Sequence, residues 1–252
     1  MKVAVIQHDI AWQDASATHA MVTPLIAQAV TDGAELVVLT EMFATGFSME
    51  PELIAEDEGG PSEKFLVAQA ETHGVHVIAS IAQRGADGNY RNTAIVASPT
   101  GEVQRYAKIH PFSYAHEHEH YTAGDTFLTV DIGGLRTSVF VCYDLRFADE
   151  FWALARDTDA YVVVANWPEA RREHWRALLR ARAIENQAYV IASNRVGDAD
   201  GLPHAGDSAI IDPLGVTLAE GTPHEVGVLS ADVDAATVAQ VRARFPFLAD
   251  RR

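Results

Sequence analysis

Basic charge is scarce in this 252-residue chain: 19 Lys and Arg face 35 Asp and Glu, for a net charge of −16. A surface of that sign repels phosphate backbones and anionic membranes, so neither nucleic acid nor a membrane is an expected partner. No apolar run approaches the ~18 residues that span a bilayer. Neither a GxGxxG nor a P-loop pattern occurs, so no Gly-rich cradle for phosphate is expected. Cysteine occurs once, at Cys142, which excludes an intramolecular disulfide. The opening segment, Met1 to Asp9, has only a short apolar run and reads as a first strand, not a signal peptide. With no disulfide pair and no export signal, a reducing cytoplasm is the expected location.

What is present is a chain 48% hydrophobic, enough for one sizeable core, with no linker, composition break or internal repeat. A single domain over residues 1–252 is expected. Short β-branched runs read as strands at Val3–Gln7, Leu36–Leu39, Val75–Ile81, Thr93–Ser98 and Phe127–Ile132. Further runs follow at Leu135–Val141, Ala160–Ala165, Tyr189–Ser193, Ser208–Ile211 and Gly227–Ser230. Helical spacing and end signals predict helices over Ala15–Thr31, Ser62–His73, Asp149–Arg156, Glu169–Asn186 and Ala235–Arg244. This mixed order is that of an α/β domain with both parallel and antiparallel strand neighbours.

Three groups stand where such strands feed loops. Cys142 ends Thr137-Ser-Val-Phe-Val-Cys and is either inert core filling or a nucleophile. Glu41 closes Glu35-Leu-Val-Val-Leu-Thr-Glu, where α/β sheets present catalytic groups, although a surface acid is an equal reading. Lys108 is one of three lysines beside sixteen arginines, and lies in Tyr106-Ala-Lys-Ile-His-Pro-Phe. Thiol, carboxylate and ammonium are mutually useful: the acid takes the thiol proton, and the amine stabilises a thiolate or an oxyanion.

Thr40-Glu-Met-Phe, Tyr106-Ala-Lys-Ile-His-Pro-Phe and Val141-Cys-Tyr-Asp-Leu-Arg-Phe resemble the three signature blocks of the nitrilase superfamily of carbon–nitrogen hydrolases. Ala165-Asn-Trp-Pro, the segment from Arg180 to Val190, and Gly206-Asp-Ser-Ala-Ile-Ile-Asp-Pro-Leu-Gly follow in that family's order. The resemblance implies a four-layer α-β-β-α sandwich with two mixed β-sheets, and self-association as a homodimer or higher homo-oligomer. It makes Glu41 the general base, Lys108 the oxyanion-stabilising lysine and Cys142 the nucleophile. Glu117 becomes the second glutamate, with Glu119 as the alternative. The backbone N–H of Tyr143 is a second oxyanion donor, and Phe43 is a candidate substrate contact. Arg146 is either a salt-bridge anchor behind the cysteine loop or a substrate contact, and Trp167 either lines the pocket or packs in the core. His-Pro-Phe after Lys108 departs from the commoner His-Leu-Phe.

Finer likeness is to the ω-amidase branch, carried by Met42-Phe-Ala-Thr-Gly-Phe-Ser-Met-Glu, Glu117–Gly124, Asn166-Trp-Pro and Asn194-Arg-Val-Gly. That branch releases ammonia from 2-oxoglutaramate or 2-oxosuccinamate, so a small-molecule amide is the implied substrate, with no cofactor and no metal. N-carbamoyl amino acid hydrolysis, other amidase activity and nitrile hydrolysis are the alternatives within the superfamily. A silent scaffold with a redox-sensitive Cys142 is the non-enzymatic alternative. His116-Glu-His-Glu-His reads as a polar loop, weighed against a zinc site. Arg171 and Arg172 are either a solvated helix face or partners of a substrate carboxylate.

Overall fold

The computed structural model describes residues 1–251. Its first sheet gathers β1 (Lys2–Gln7), β2 (Leu36–Val38), β3 (Glu56–Asp57), β4 (His76–Arg84), β5 (Tyr90–Ala97) and β6 (Val103–Ala107). The second holds β7 (Thr129–Ile132), β8 (Leu135–Val141), β9 (Ala160–Ala165), β10 (Tyr189–Asn194), β13 (Ala209–Ile211) and β14 (Thr217–Glu220). Between the last two groups, β11 (Val196–Ala199) and β12 (Leu202–Ala205) form a separate hairpin. The last strand, β15 (Gly227–Asp232), returns to the first sheet and pairs antiparallel with β1, Lys2 opposite Asp232.

Both sheets have the same plan, parallel at the centre and antiparallel at the flanks. The first runs β15-β1-β2-β4-β5-β6, with β1, β2 and β4 parallel and β3 added beside β4. The second runs β14-β13-β10-β9-β8-β7, with β10, β9 and β8 parallel. Parallel strands are covered on both faces, which is why these runs are apolar throughout. Alternate residues serve different layers. Val3, Val5, Leu36, Val38 and Ile78 face the second sheet, whereas Ala4, Ile6, Val37, Leu39 and Val77 face helices.

Helix α1 (Ala15–Thr31) starts at Asp14, whose side chain accepts from the Ala17 N–H at 2.9 Å. It buries Thr18, Val22, Ile26 and Ala29 along one stripe, beside Leu66 and Ala70 of α3 (Pro61–His73). These two cover the first sheet, while α2 (Pro51–Ile54) and α4 (Glu117–His120) are single turns near the site. The second sheet is covered by α5 (Ala148–Leu154) and α6 (Arg172–Asn186), which bury Phe151, Trp175, Leu179 and Ala183. Helix α7 (Ala235–Arg244) closes the chain against the same core through Val238. The result is a four-layer α-β-β-α sandwich with two mixed sheets.

Every expected strand and helix exists, with ends shifted by a few residues. Strands β3, β6, β11, β12 and β14 and helices α2 and α4 have no counterpart among the expected runs. They are short and half exposed, so burial writes no periodicity into them. The polar loop expected over His116–His120 is the helical turn α4, started by Glu117.

Candidate active site

Glu41, Lys108 and Cys142 each follow the C-terminal end of a strand. The pairing of β2 with β4 continues past Val38, through Leu39 N–H to Ile78 O (2.8 Å) and Ser80 N–H to Thr40 O (3.3 Å). Glu41 therefore leaves the sheet at the C-terminal end of its parallel strands. Lys108 directly follows β6, its N–H donating to Asn92 O at 2.9 Å. Its carbonyl accepts from Gly124 N–H at 2.8 Å. A Cβ on Gly124 would lie 2.3 Å from Ala107 O, so only glycine lets that loop close over the lysine. Because β5 is antiparallel to both β4 and β6, Lys108 and Glu41 emerge at one end of the sheet.

Between them lies a buried charge cluster. The Lys108 ammonium donates to Glu41 Oε1 at 2.9 Å and to Glu117 Oε2 at 2.8 Å, with all three side chains at most 1% exposed. Asn92 Nδ2 donates to Glu41 Oε1 at 2.8 Å and Glu117 Oε1 at 3.1 Å. Glu41 Oε2 accepts the Asn166 N–H at 2.8 Å, and Glu117 Oε2 accepts the Phe112 N–H. Burial works against the Lys108 charge, but the Glu117 and Glu41 carboxylates outweigh it and hold the amine above its ordinary value. Burial pushes the Glu117 carboxyl up, against the pull of Lys108. Glu119 is exposed and pairs with His116 at 3.0 Å, so the glutamate at the lysine is Glu117.

Cys142 comes from the other sheet, at the turn from β8 into a 3₁₀ segment over Cys142–Arg146. Its φ of +46° is a left-handed conformation that costs a non-glycine residue about 1–3 kcal/mol, stored where the strand bends. Asp144 holds the bend: its carboxylate accepts from Val141 N–H (3.0 Å), Tyr106 hydroxyl (2.8 Å) and His110 N–H (2.9 Å). Two of those donors flank Lys108, so one buried acid ties the cysteine turn to the lysine segment. Cys142 as a residue remains 8% exposed. Burial, together with the neighbouring Glu41 carboxylate, pushes the thiol well above its ordinary value, against the pull of Lys108.

Cys142 faces a cavity of about 660 Å³. Trp12, Phe47, Phe112, Tyr143 and Trp167 supply aromatic wall, and the β11–β12 hairpin closes the rim with Asp200 and Leu202. Arg146 lies 4.7 Å over the Trp167 ring, its guanidinium 3.2 Å from His174 Nδ1. Trp167 is fixed at both ends, by its N–H to Asn194 Oδ1 (2.7 Å) and its indole N–H to Arg171 O (2.9 Å). Arg171 also lines the cavity, whereas Arg172 turns away to Asp207 at 2.8 Å. Burial pushes His204, on the same wall, down to about 4, so it is neutral near pH 7.

The structure thus brings Glu41, Lys108, Glu117 and Cys142 together, with Tyr143, Arg146 and Trp167 on the cavity wall. Phe43 is not there. It lies on the opposite face of the sheet, fully buried against His19 and Phe65 in the helix-covered core, and the aromatic at the cavity is Phe47. Two residues apart on an extended strand, Glu41 and Phe43 would share a face, but the turn after Glu41 reverses through Met42 at φ +38°. The His116–His120 imidazoles sit on an exposed turn, and among the described residues no His, Cys, Asp or Glu group is arranged to hold a metal ion. Asn92 is unmarked in the sequence, and Asn166 and Asp144 stand there only as motif members without a role, since nothing marks an Asn or Asp as meeting a distant partner.

The carbon–nitrogen hydrolase family model matches residues 2–243. An omega-amidase from Escherichia coli K12 is 36% identical over 250 residues, spanning 98% of this chain and 94% of that protein. A 2-oxoglutaramate amidase from Bacillus subtilis is 34% identical over 224 residues, spanning 87% and 85% respectively. The crystal structure of a CN-hydrolase superfamily protein from Xanthomonas campestris superposes with a TM-score of 0.94 at 37% identity, covering 100% of this chain and 97% of that one. Sequence and architecture agree over the full length of the two sheets: the chain belongs to the carbon–nitrogen hydrolase family, within the nitrilase superfamily, and is an amide-hydrolysing enzyme.

Proposed function

We propose that this enzyme is a cysteine-dependent ω-amidase, releasing ammonia from a small carboxylic ω-amide of the 2-oxoglutaramate or 2-oxosuccinamate class. The observation that carries the reading is the Lys108 ammonium held between two buried carboxylates beside the Cys142 thiol. A thiol raised by burial is protonated at neutral pH, so its proton must leave during attack. Glu41 is the acceptor: it neighbours the sulfur, and three N–H donors orient its carboxylate.

Attack forms the S–C bond and turns the amide oxygen into an oxyanion, which Lys108 Nζ and the Tyr143 N–H stabilise. Glu41 returns its proton to the nitrogen, the C–N bond breaks, and ammonia leaves behind a thioester. Water then attacks that thioester while Glu41 takes one of its protons. Collapse releases the carboxylic acid and restores the thiol. Glu117 keeps Lys108 oriented, and Arg146, stacked on Trp167 with no carboxylate partner among the described residues, receives the substrate carboxylate. Every proton transfer is carried by a side chain already present, so the scheme calls for no cofactor or metal. Relatives named omega-amidase and 2-oxoglutaramate amidase support this substrate class.

The test is ammonia release from 2-oxoglutaramate, 2-oxosuccinamate, glutamine, carbamoyl-β-alanine and a simple nitrile, with wild type and Cys142→Ala in parallel. The expected result is a preference for the 2-oxo acid amides, with turnover lost in Cys142→Ala. Preference for the carbamoyl compound would overturn the substrate class, and appreciable turnover by the folded variant would overturn the thioester.

A further inference from the structure

Two carboxylates and one ammonium share the buried cluster, so an uncompensated negative charge remains when both acids are ionised. Two acids this close would ordinarily relieve the charge by binding a proton between them. Asn92 stands where that proton would go. Its side chain is 1% exposed, and its Nδ2 lies 2.8 Å from Glu41 Oε1 and 3.1 Å from Glu117 Oε1.

The orientation of this amide is determined by its surroundings. Turned over, it would aim its oxygen at two carboxylates. As placed, Oδ1 accepts the Ser80 hydroxyl at 2.8 Å, and that hydroxyl oxygen accepts the Met42 N–H at 2.8 Å. Direction therefore propagates along the chain: Met42 N–H to Ser80, Ser80 O–H to Asn92, and both Asn92 N–H groups to the acids. Met42 is the left-handed residue directly after Glu41. One relay on β4 and β5 thus holds Glu41 by its backbone and by its carboxylate.

We propose that Asn92 is a positioning residue, whose amide, oriented by Ser80, keeps Glu41 and Glu117 apart as two separate acceptors so that Glu41 stays free to take the Cys142 proton. The proposal rests on the cysteine-hydrolase reading above. The titratable groups facing the pair are Lys108 from the end of β6, Cys142 from the end of β8 and Tyr121 after α4. Of these, only Lys108 is a cation, and it already donates to both acids. Donors to the charged form favour it, so loss of the Asn92 donors raises the affinity of the pair for a proton.

The experiment compares wild type, Asn92→Asp and Ser80→Ala by the pH profile of kcat/KM for the preferred amide, and of Cys142 inactivation by iodoacetamide. Asn92→Asp keeps the side-chain volume but replaces donors with acceptors, and its acid limb should move up by about one pH unit, tenfold in rate below the limb. Ser80→Ala should move it the same way by less, with KM within about twofold. Should Asn92→Asp fail to fold, the near-isosteric Ser80→Ala still reads the relay. Equal slowing at every pH, with the acid limb unmoved in the folded variants, overturns the proposal. Iodoacetamide needs no substrate, so a wrong amide class leaves this readout intact.

Discussion

The sheet that ends in Glu41 and Lys108 and the sheet that ends in Cys142 meet at one cavity, yet they build their shares of it differently. On the first, three ionisable groups are almost fully buried, and each carboxylate oxygen has an N–H donor. On the second, the thiol has an unusual backbone conformation and a face open to the cavity. The difference follows from what each group must do. Buried charges are tolerable only with their hydrogen bonds made, which also fixes their geometry. The nucleophile proposed for Cys142 must keep one face free for substrate, and the cysteine is aimed through the main chain instead. Asp144 and Asn166 supply bonds that cross between these regions.

Lys108→Met breaks the comparison most severely, because it strips the charged region of its cation. Two buried carboxylates then face each other, and a loss of about 3–5 kcal/mol in urea unfolding is expected. Turnover should fall by about 10²–10³ or more, with the proposed oxyanion donor gone. An unchanged urea midpoint would show that the cluster is not held together by this amine.

Asp144→Asn attacks the link between the regions. The new amide turns a donor toward either the Val141 N–H or the His110 N–H, so one buried N–H loses its acceptor. A cost of about 1–3 kcal/mol is expected, and single-turnover acylation should slow as the Cys142 bend loosens. Stability lost with acylation unaltered would sink the positional role of Asp144.

The smallest effect separates Phe43 from Phe47, on opposite sides of the same loop. Phe43→Leu should cost about 1 kcal/mol of stability and leave KM where it is. Phe47→Leu should raise KM about fivefold, roughly 1 kcal/mol of binding. Reversed outcomes would place the cavity on the wrong face of the first sheet.

Fold legibility followed burial. The runs at Val3–Gln7, Leu135–Val141 and Ala160–Ala165 were readable because both faces of a central parallel strand must be apolar. Thr217–Glu220 and Leu202–Ala205 were not, since short strands at a rim take their conformation from a partner. In the site, Glu41, Lys108 and Cys142 could be picked out by chemistry at strand ends, by the rarity of lysine and cysteine, and by their motif surroundings. Glu117 could not be told from Glu119, two residues along the same acidic run. Only the fold distinguishes the one under Lys108 from the one paired with His116.

The sequence by itself determined the alternation of strands and helices, the family resemblance and the three candidate reactive side chains. These depend on local pattern: periodicity, residue type and short motifs. The tertiary structure alone decided that Asn92 stands between two acids, that Asp144 spans the sheets and that Phe47 meets the cavity in place of Phe43. Asn92 lies 51 residues from Glu41 and 25 from Glu117 along the chain. Contacts at that separation leave no local trace, because they exist only once the strands have paired and the two sheets have packed.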